Sequence, residues 1–266
     1  MDDLRVIAVD WSGAAAGAER KIWLAEVREG ALVRLECGRS RDEVARHLME
    51  TAERHPRMVA GLDFAFSMPR WFLEHESCAS APELWTRLAA GQAETWLRAC
   101  KPPFWGRAGT TKPTSDIGLR RRCEEGLLAK PVFQIAGAGA VGTGSLRGMP
   151  VLAKLQAAGF RIWPFDAPGT PLVVEIYPRT FVPPRLRKTR EDERRRFIQG
   201  ARYDGISTEH RAAAVRSDDA FDAIVSAFGM WDARDDLLAL PVIDNPQLMV
   251  EGIVWHPGWR HQLRMP

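Results

Sequence analysis

Short apolar runs that end in an acidic residue recur along this chain. VIAV precedes Asp10, VAGL precedes Asp63 and LVV precedes Glu175. Apolar runs of this length, bounded by polar residues, are typical of buried strands. The pattern predicts such strands at residues 4–10, 57–66 and 171–177. Burying an ionised carboxylate is costly unless it is paired, hydrogen-bonded or bound to a metal, so acids at these strand ends indicate a site.

Between the first two runs, the pattern predicts a hairpin and a helix. Polar and apolar residues alternate on both sides of Glu29-Gly30, which favours two antiparallel strands joined by a tight turn. Val44, Leu48 and Ala52 recur at helical spacing and predict a helix over 40–55, with Ser40 as its N-cap. The first 66 residues therefore predict the order strand, hairpin, helix, strand.

The pattern loosens from residue 67 onwards. Helical stretches near 82–98 and 114–128 flank the loop KPPFWGRAGTTKP, and we interpret 76–130 as a helical insertion or lid within one domain spanning 1–266. A helix around Leu152 and Leu155 and the short strand FRIWPF follow. The last strong helix, at 217–231, is apolar on almost every side, and Trp255 and Trp259 in the tail are expected to pack back onto the body.

The composition fits one large α/β domain. The chain has 266 residues and 45% hydrophobic content, and its net charge of +3 does not by itself indicate a nucleic-acid partner. No apolar stretch approaches the roughly 18 residues of a membrane span. The acidic N-terminus does not resemble a signal peptide, and the four cysteines lack metal-ligand spacing. These features predict a cytoplasmic protein with reduced thiols, and they do not indicate an oligomeric state.

The late helix carries two acids on one face, Asp219 and Asp222. For Asp218 and Asp219 taken alone, in the first turn after a capping Ser217, the helix dipole is the favoured explanation. Asp222 lies one turn deeper among apolar neighbours and is harder to explain in that way. A lone acid after a strand, such as Asp10, is usually a turn former. Together, however, these carboxylates predict a site for a hard cation such as Mg²⁺ or Mn²⁺.

Three other features have ordinary explanations. Gly137, Gly139 and Gly142 match the G-x-G-x-x-G pattern of dinucleotide-binding loops, but we prefer a loop rich in small residues. The basic stretch 185–196 is typical of a solvated helix face. The loop around Trp105 and Lys112 mixes aromatic and cationic residues, which suits nucleic acid or a nucleotide but also a packed loop.

The order of elements, ending in a late acidic helix, resembles the ribonuclease H-like fold. More narrowly, the chain resembles the family of predicted ribonuclease H-like nucleases called domain of unknown function 429. The resemblance covers both ends and the middle of the chain, and leaves out 76–130 and 182–216. The resembling segments are VIAVDWSG at 6–13, GLDFAFSMP at 61–69, SLRGMPVLAKLQAAGFRIWPF at 145–165, VEIYPRTF at 174–181 and DDAFDAIVSAF at 218–228.

The resemblance implies a mixed five-stranded α/β sheet flanked by helices. It places the first-strand acid of the fold on Asp10, the acid of the neighbouring strand on Asp63, and the late-helix pair on Asp219 and Asp222. Glu175 matches a strand-borne acid of the family and is included among the expected metal ligands. Three further residues are expected to contact water, phosphate or substrate: Ser12, Ser67 and Lys112.

The leading hypothesis is a phosphodiesterase acting on nucleic acid, with two Mg²⁺ or Mn²⁺ ions bridged by Asp10. One alternative is an ATP-dependent phosphotransferase of the actin-like or sugar-kinase type, although Trp11 stands where its phosphate loop normally has a glycine. A second alternative is a non-catalytic module that binds nucleic acid or a nucleotide. The sequence does not distinguish DNA, RNA or a smaller phosphoester as substrate.

Overall fold

Helices flank a seven-stranded sheet in a mixed α/β structure, described by the computed structural model for residues 3–114, 118–127, 129–137 and 139–264. The strands are β1 (Arg5–Asp10), β2 (Trp23–Arg28), β3 (Ala31–Cys37), β4 (Met58–Leu62), β5 (Arg161–Ile162), β6 (Leu172–Ile176) and β7 (Val254–Trp255). The helices are α1 (Arg41–Arg54), α2 (Arg70–His75), α3 (Ala81–Arg87), α4 (Ala93–Ala99), α5 (Val141–Ala157), α6 (Glu191–Ile198), α7 (Thr208–Arg216), α8 (Asp218–Asp232), α9 (Arg234–Leu238) and α10 (Leu248–Glu251).

The sheet is antiparallel on one side and parallel on the other. Its order is β3-β2-β1-β4-β6-β5, with β1, β2 and β3 antiparallel and β4 parallel to both β1 and β6. The two-residue strands β5 and β7 both pair in parallel with β6. The described sheet therefore has more strands than the predicted five, because these two short strands extend it beyond β6.

The predicted hairpin and both predicted helix caps are confirmed. Glu29 and Gly30 join β2 to β3 with positive φ angles of 50° and 78°, the backbone conformation that a two-residue hairpin loop requires. The hydroxyl of Ser40 accepts a hydrogen bond from the Glu43 amide, and the Glu43 carboxylate accepts one from the Ser40 amide. Ser217 caps α8 by accepting a hydrogen bond from the Ala220 amide at 3.2 Å.

Two apolar layers cover the two faces of the sheet. Along β1, Ile7 and Val9 belong to the layer that α1 and α5 build, whereas Val6 and Ala8 belong to the layer built by α8. This division follows from the alternation of side chains along a strand. Side chains at even positions of β1 therefore face α8. The last residue of β1, Asp10, is at an even position and so points towards α8.

The start of the region predicted as an insertion is part of the core. A π-helical turn, Leu88–Gln92, joins α3 to α4, and α3 packs on α5. Trp85 is fully buried, and its indole N–H donates a hydrogen bond to the Phe66 carbonyl at 2.7 Å. The helical half of 76–130 is therefore fixed to the sheet through buried contacts.

The prediction of a helix near 114–128 is wrong for the residues that the structure describes. Residues 115–117 and 128 lie outside the described residues. A single 3-10 turn, Arg122–Glu124, forms there. Side-chain carboxylates bind the backbone amides that a longer helix would use. The Arg121 amide donates to Glu124 at 3.1 Å, and the Arg122 amide donates to Glu251 at 2.5 Å.

The C-terminal tail packs onto the body, as the sequence predicts. Trp255 and Trp259 are fully buried, and both indole N–H groups donate to the Asp236 carboxylate. Among the described helices, none combines the length and the apolar character that a membrane crossing requires.

The loop after β1 touches the first turn of α5 through backbone atoms. A Cβ on Gly13 would lie 2.4 Å from the Gly144 amide nitrogen, a clash that side-chain rotation cannot relieve. We expect Gly13→Ala to lower the free energy of unfolding by about 1–3 kcal/mol, the usual cost of overpacking. Gly205→Ala is the control, since no described atom lies within 4 Å of its added Cβ. Urea unfolding that gives both variants the same stability would contradict this close contact.

Candidate functional site

Asp10 and Asp63 are neighbours because β1 and β4 run parallel and in register. Asp10 is the last residue of β1, and Asp63 follows β4 directly, with its amide donating to the Val9 carbonyl at 3.0 Å. Strand alternation places Asp10 on the same face as Ala8, towards α8. The carboxyl groups of Asp10 and Asp63 therefore lie close enough to interact directly.

Helix α8 adds two more acids to this pair. Its apolar residues pack across β1 and β2, and the spacing of three residues brings Asp219 and Asp222 to one side of the helix. Asp222 is only 3% exposed, whereas Asp219 is half-buried. The charges of both residues act on Asp10, as does that of Asp63. The structure therefore brings four of the five predicted acids together.

The ammonium of Lys188 lies among these carboxyl groups. Its Nζ donates a hydrogen bond to Oδ2 of Asp222, and it also interacts electrostatically with Asp63 and Asp10. Burial by itself would lower the pKa of Lys188, but the three carboxyl groups together raise it above its ordinary value. Lys188 is therefore charged and provides one positive charge beside four acids.

Burial and mutual repulsion raise the pKa values of these acids. Burial raises the pKa of Asp10 well above its ordinary value, and the neighbouring carboxylates add to this effect. Burial and the charge on Asp222 raise the pKa of Asp63 to about 8. Burial raises the pKa of Asp222 to about 6, against the lowering effect of Lys188, and also raises the pKa of Asp219. The protein therefore compensates too little of the negative charge that four ionised acids would carry, and protonation of the carboxyl groups removes part of the remainder.

The acids border a cleft of ≈ 590 Å³. Asp63 and Asp219 lie in its wall with three aromatic residues and three lysines. These are Trp11, Phe64 and Tyr177, and Lys21, Lys130 and Lys188. The start of α5 closes one side through Gly139, Ala140 and Val141. A cleft that combines acids, lysines and aromatic faces suits a phosphorylated ligand with a flat ring system.

The four acids do not form a complete set of metal ligands. In the described ranges, no three His, Cys, Asp or Glu side chains are arranged closely enough to hold a metal ion. Lys188 occupies Oδ2 of Asp222, and Asp10 and Asp63 interact directly with each other.

Glu175, which was expected among the metal ligands, lines the same cleft and its charge acts on Asp63, but its side chain leaves β6 on the other face of the sheet. It pairs in register with Leu62, which belongs to the layer on the α5 side, so strand alternation turns it away from α8. Both of its oxygens are occupied. Arg121 binds both of them, with Nη1 at 2.7 Å from Oε2, and the Phe66 amide donates to Oε2 at 2.8 Å. Glu175 therefore serves as the partner of a buried arginine.

Arg121 is the centre of a second ionic cluster. Its guanidinium is 1% exposed and binds Glu175, Glu124 and the carbonyl of Glu251. The Glu251 carboxylate in turn accepts hydrogen bonds from the amides of Arg70 and Arg122. This network joins the segment around the Arg122–Glu124 turn to β6 and α10.

Three predicted substrate contacts lie in different surroundings. The hydroxyl of Ser12, at the end of β1, accepts a hydrogen bond from the Ala14 amide at 3.3 Å. Ser67 is fully buried, so its position does not support the predicted contact with substrate. Lys112 lies on an exposed stretch and is not among the described residues that line the cleft.

The three basic residues that hold the two acidic clusters together were not identified from the sequence. Lys188 and Arg194 belong to the run 185–196, which we interpreted as a solvated face, and Arg121 belongs to a similar basic triplet. Arg194 is 5% exposed and Arg121 1% exposed. No local pattern separates these residues from their exposed neighbours, because their partners lie far away in sequence.

The chain matches no protein-family model, no curated protein and no solved structure.

Replacing Arg121 tests the second cluster. We expect Arg121→Met to lower the free energy of unfolding by about 3–5 kcal/mol, because it leaves buried glutamates without their counter-charge. Arg120→Met is the matched control. Its neighbouring, partly buried guanidinium makes one long hydrogen bond, 3.4 Å to Ala129. Denaturant unfolding curves with equal midpoints for the two variants would contradict the structural role of Arg121.

The pKa of Asp63 predicts how stability changes with pH. The folded protein keeps this proton up to about pH 8, whereas the unfolded chain releases it near pH 4. The folded state therefore binds more protons in this window, and the free energy of unfolding falls as the pH rises through it. Asp63→Asn keeps a neutral side chain throughout. We expect its stability relative to wild type, in chelator, to increase by at least about 1 kcal/mol between pH 5 and pH 8.5.

The exposed Asp232, which pairs with Arg202 at 2.7 Å, provides the control. Asp232→Asn should follow the pH dependence of wild type. A difference between Asp63→Asn and wild type that stays constant with pH would show that Asp63 is ionised in the folded protein.

Proposed function

We propose that this protein is a metal-dependent phosphodiesterase of the ribonuclease H-like type, with nucleic acid as its substrate class. The observation that carries the proposal is the meeting of four carboxyl groups from β1, β4 and α8 beside a cleft lined with lysines. Carboxylates gathered from distant parts of a chain are costly to bury, and a divalent cation is the group that most directly offsets that cost.

The topology supports the fold assignment. Three antiparallel strands, a helix and then a strand parallel to the first follow one another, and a late helix packs on the sheet beside the first strand. This is the order in the ribonuclease H-like fold that the sequence resembles. The acids at 10, 63, 219 and 222 stand at the positions that the resemblance to domain of unknown function 429 assigns to metal ligands.

The residues fit a divalent cation in two respects. Their donor atoms are carboxylate oxygens, which Mg²⁺ and Mn²⁺ prefer. In addition, Oδ1 of Asp222 is buried and has no hydrogen-bond partner among the described residues, so the negative charge of the cluster is only partly compensated. Asp10 and Asp63, next to the acids of α8, would hold the cation, and the cation would polarise a phosphoryl oxygen and an attacking water.

The residues of the chain would do the remaining work of binding. Lys21, Lys130 and Lys188 supply positive charge for phosphate oxygens, and Trp11 and Tyr177 offer faces to a base. In the hydrolysis, the oxygen of water bonds to phosphorus and the ester P–O bond breaks. The departing oxygen takes up a proton, so the reaction needs no other reactant.

The phosphotransferase alternative gains no support. Trp11 is 8% exposed and packs against Phe64, with ring centroids 4.8 Å apart. A bulky, packed side chain in the first loop prevents the close backbone approach to phosphate that a phosphate loop provides.

Asp10→Asn tests the proposal. Without metal, the variant should be as stable as wild type or more stable, because Asn keeps the neutral state that burial and the neighbouring acids favour for Asp10 and cannot ionise against them. In wild type, Mn²⁺ at 100 times its dissociation constant should add about 2.7 kcal/mol of stability, which raises the melting temperature by about 5–10 °C. The variant should lose this response and the hydrolysis of bis(p-nitrophenyl) phosphate and of single-stranded DNA and RNA.

Asp232→Asn, on the same helix as two of the acids but outside the cluster, should keep both the Mn²⁺ response and the activity. If Asp10 instead caps the following turn, Asp10→Asn loses about 1 kcal/mol and still responds to metal. Thermal melts with that second outcome would reject the metal-site proposal at its central residue.

A further inference from the structure

Lys188 lies where the acids would otherwise attract a second cation. Its ammonium binds Oδ2 of Asp222 and interacts with Asp63 and Asp10, which are proposed to hold metal. The sequence hypothesis requires two divalent cations bridged by Asp10. The position of Lys188 affects how many divalent cations the site can hold.

The protein holds the backbone of Lys188 in place. The carbonyl of Lys188 accepts a hydrogen bond from Arg194 at 2.5 Å. Arg194 is buried and also binds the Val215 carbonyl at 2.6 Å, at the end of α7. A surface lysine loses considerable side-chain entropy when it is fixed in an ion pair, and an anchored backbone reduces that loss. The loop is therefore built to present this ammonium to Asp222.

The charges around Asp222 favour one metal over two. A divalent cation displaces the protons of Asp10 and Asp63, and the four carboxylates and one ammonium then leave a negative excess that one such cation largely neutralises. A second divalent cation at Asp222 would lie next to the ammonium, and like charges at that distance repel strongly in a partly buried site. Asp222 is 3% exposed, so solvent does little to screen this repulsion.

We propose that Lys188 is the second cation of this site, so that the cluster binds a single divalent metal ion through Asp10 and Asp63 while Asp222 holds the lysine. The proposal rests on the metal-dependent function above and revises its number of metal ions. Lys188 lines the cleft with 34% of its side chain exposed. Because an ammonium has three donors and Asp222 accepts one hydrogen bond, Lys188 can also donate to a phosphate oxygen of the substrate.

The test counts metal ions directly. The full chain is stripped with chelator and titrated with Mn²⁺ alone, with bound ions counted by calorimetry and by electron paramagnetic resonance. We expect one Mn²⁺ per chain in wild type and in Lys188→Arg, which keeps the charge. Lys188→Met removes the charge and should bind two Mn²⁺ ions per chain.

A second variant separates the roles of the acids and does not depend on the folding of Lys188→Met. Under this proposal, Asp222 is the partner of Lys188, so Asp222→Asn should keep one Mn²⁺ with its affinity changed by less than about tenfold. Asp10→Asn should lose Mn²⁺ binding altogether. If Asp222 is instead a metal ligand, the two asparagine variants should lose affinity to a similar extent.

Four outcomes overturn the inference. Two Mn²⁺ ions bound to wild type would show that Lys188 does not replace a metal, and would leave the proposed phosphodiesterase function intact. Folded Lys188→Met that binds a single Mn²⁺, or Asp222→Asn that loses binding as Asp10→Asn does, would also reject the inference and not the function. Absence of Mn²⁺ binding in wild type would reject both.

Discussion

The in-register parallel pairing of β1 with β4 is the constraint on which the candidate site depends. It sets Asp10 beside Asp63 and turns the first of these towards α8, where Asp222 lies under apolar neighbours. Once these carboxyl groups share one low-dielectric region, each makes ionisation of the others harder. The raised pKa values, the direct interaction of Asp10 with Asp63 and the contact of Lys188 with Asp222 all follow from that proximity.

On the opposite face of the sheet, the charge of buried carboxylates is compensated in a different way. Glu175, at the matching level of β6, meets Arg121, which contacts two more glutamates. There a guanidinium with five donors occupies the oxygens of Glu175 and makes bidentate contacts. On the α8 face, one ammonium serves four acids, and an oxygen of Asp222 has no partner among the described residues. The saturated cluster has the character of a structural element, and the under-compensated cluster that of a binding site.

In both clusters, the compensating base comes from a stretch with little regular structure. Lys188 lies between β6 and α6, and Arg121 precedes a single 3-10 turn. The Lys188 carbonyl is held by Arg194, which also binds the distant Val215, and Arg121 is held by the carbonyl of the distant Glu251. Such segments carry no periodic signal, because their conformation depends on tertiary ionic contacts and not on an apolar face. For the same reason, the helix predicted near 114–128 is replaced by carboxylate-bound backbone amides.

The sequence by itself determined the features that depend on near neighbours. It placed the strands ending near Asp10 and Asp63, the hairpin at Glu29-Gly30 and the caps at Ser40 and Ser217, because backbone sterics and local hydrogen bonds decide these. Tertiary structure alone decided which acids meet and which bases neutralise them. Strand register and alternation turned Glu175 away from the acids of α8, and long-range packing selected Lys188 and Arg121 from otherwise similar basic runs. Charge compensation acts through space, and the order of residues along the chain does not encode it locally.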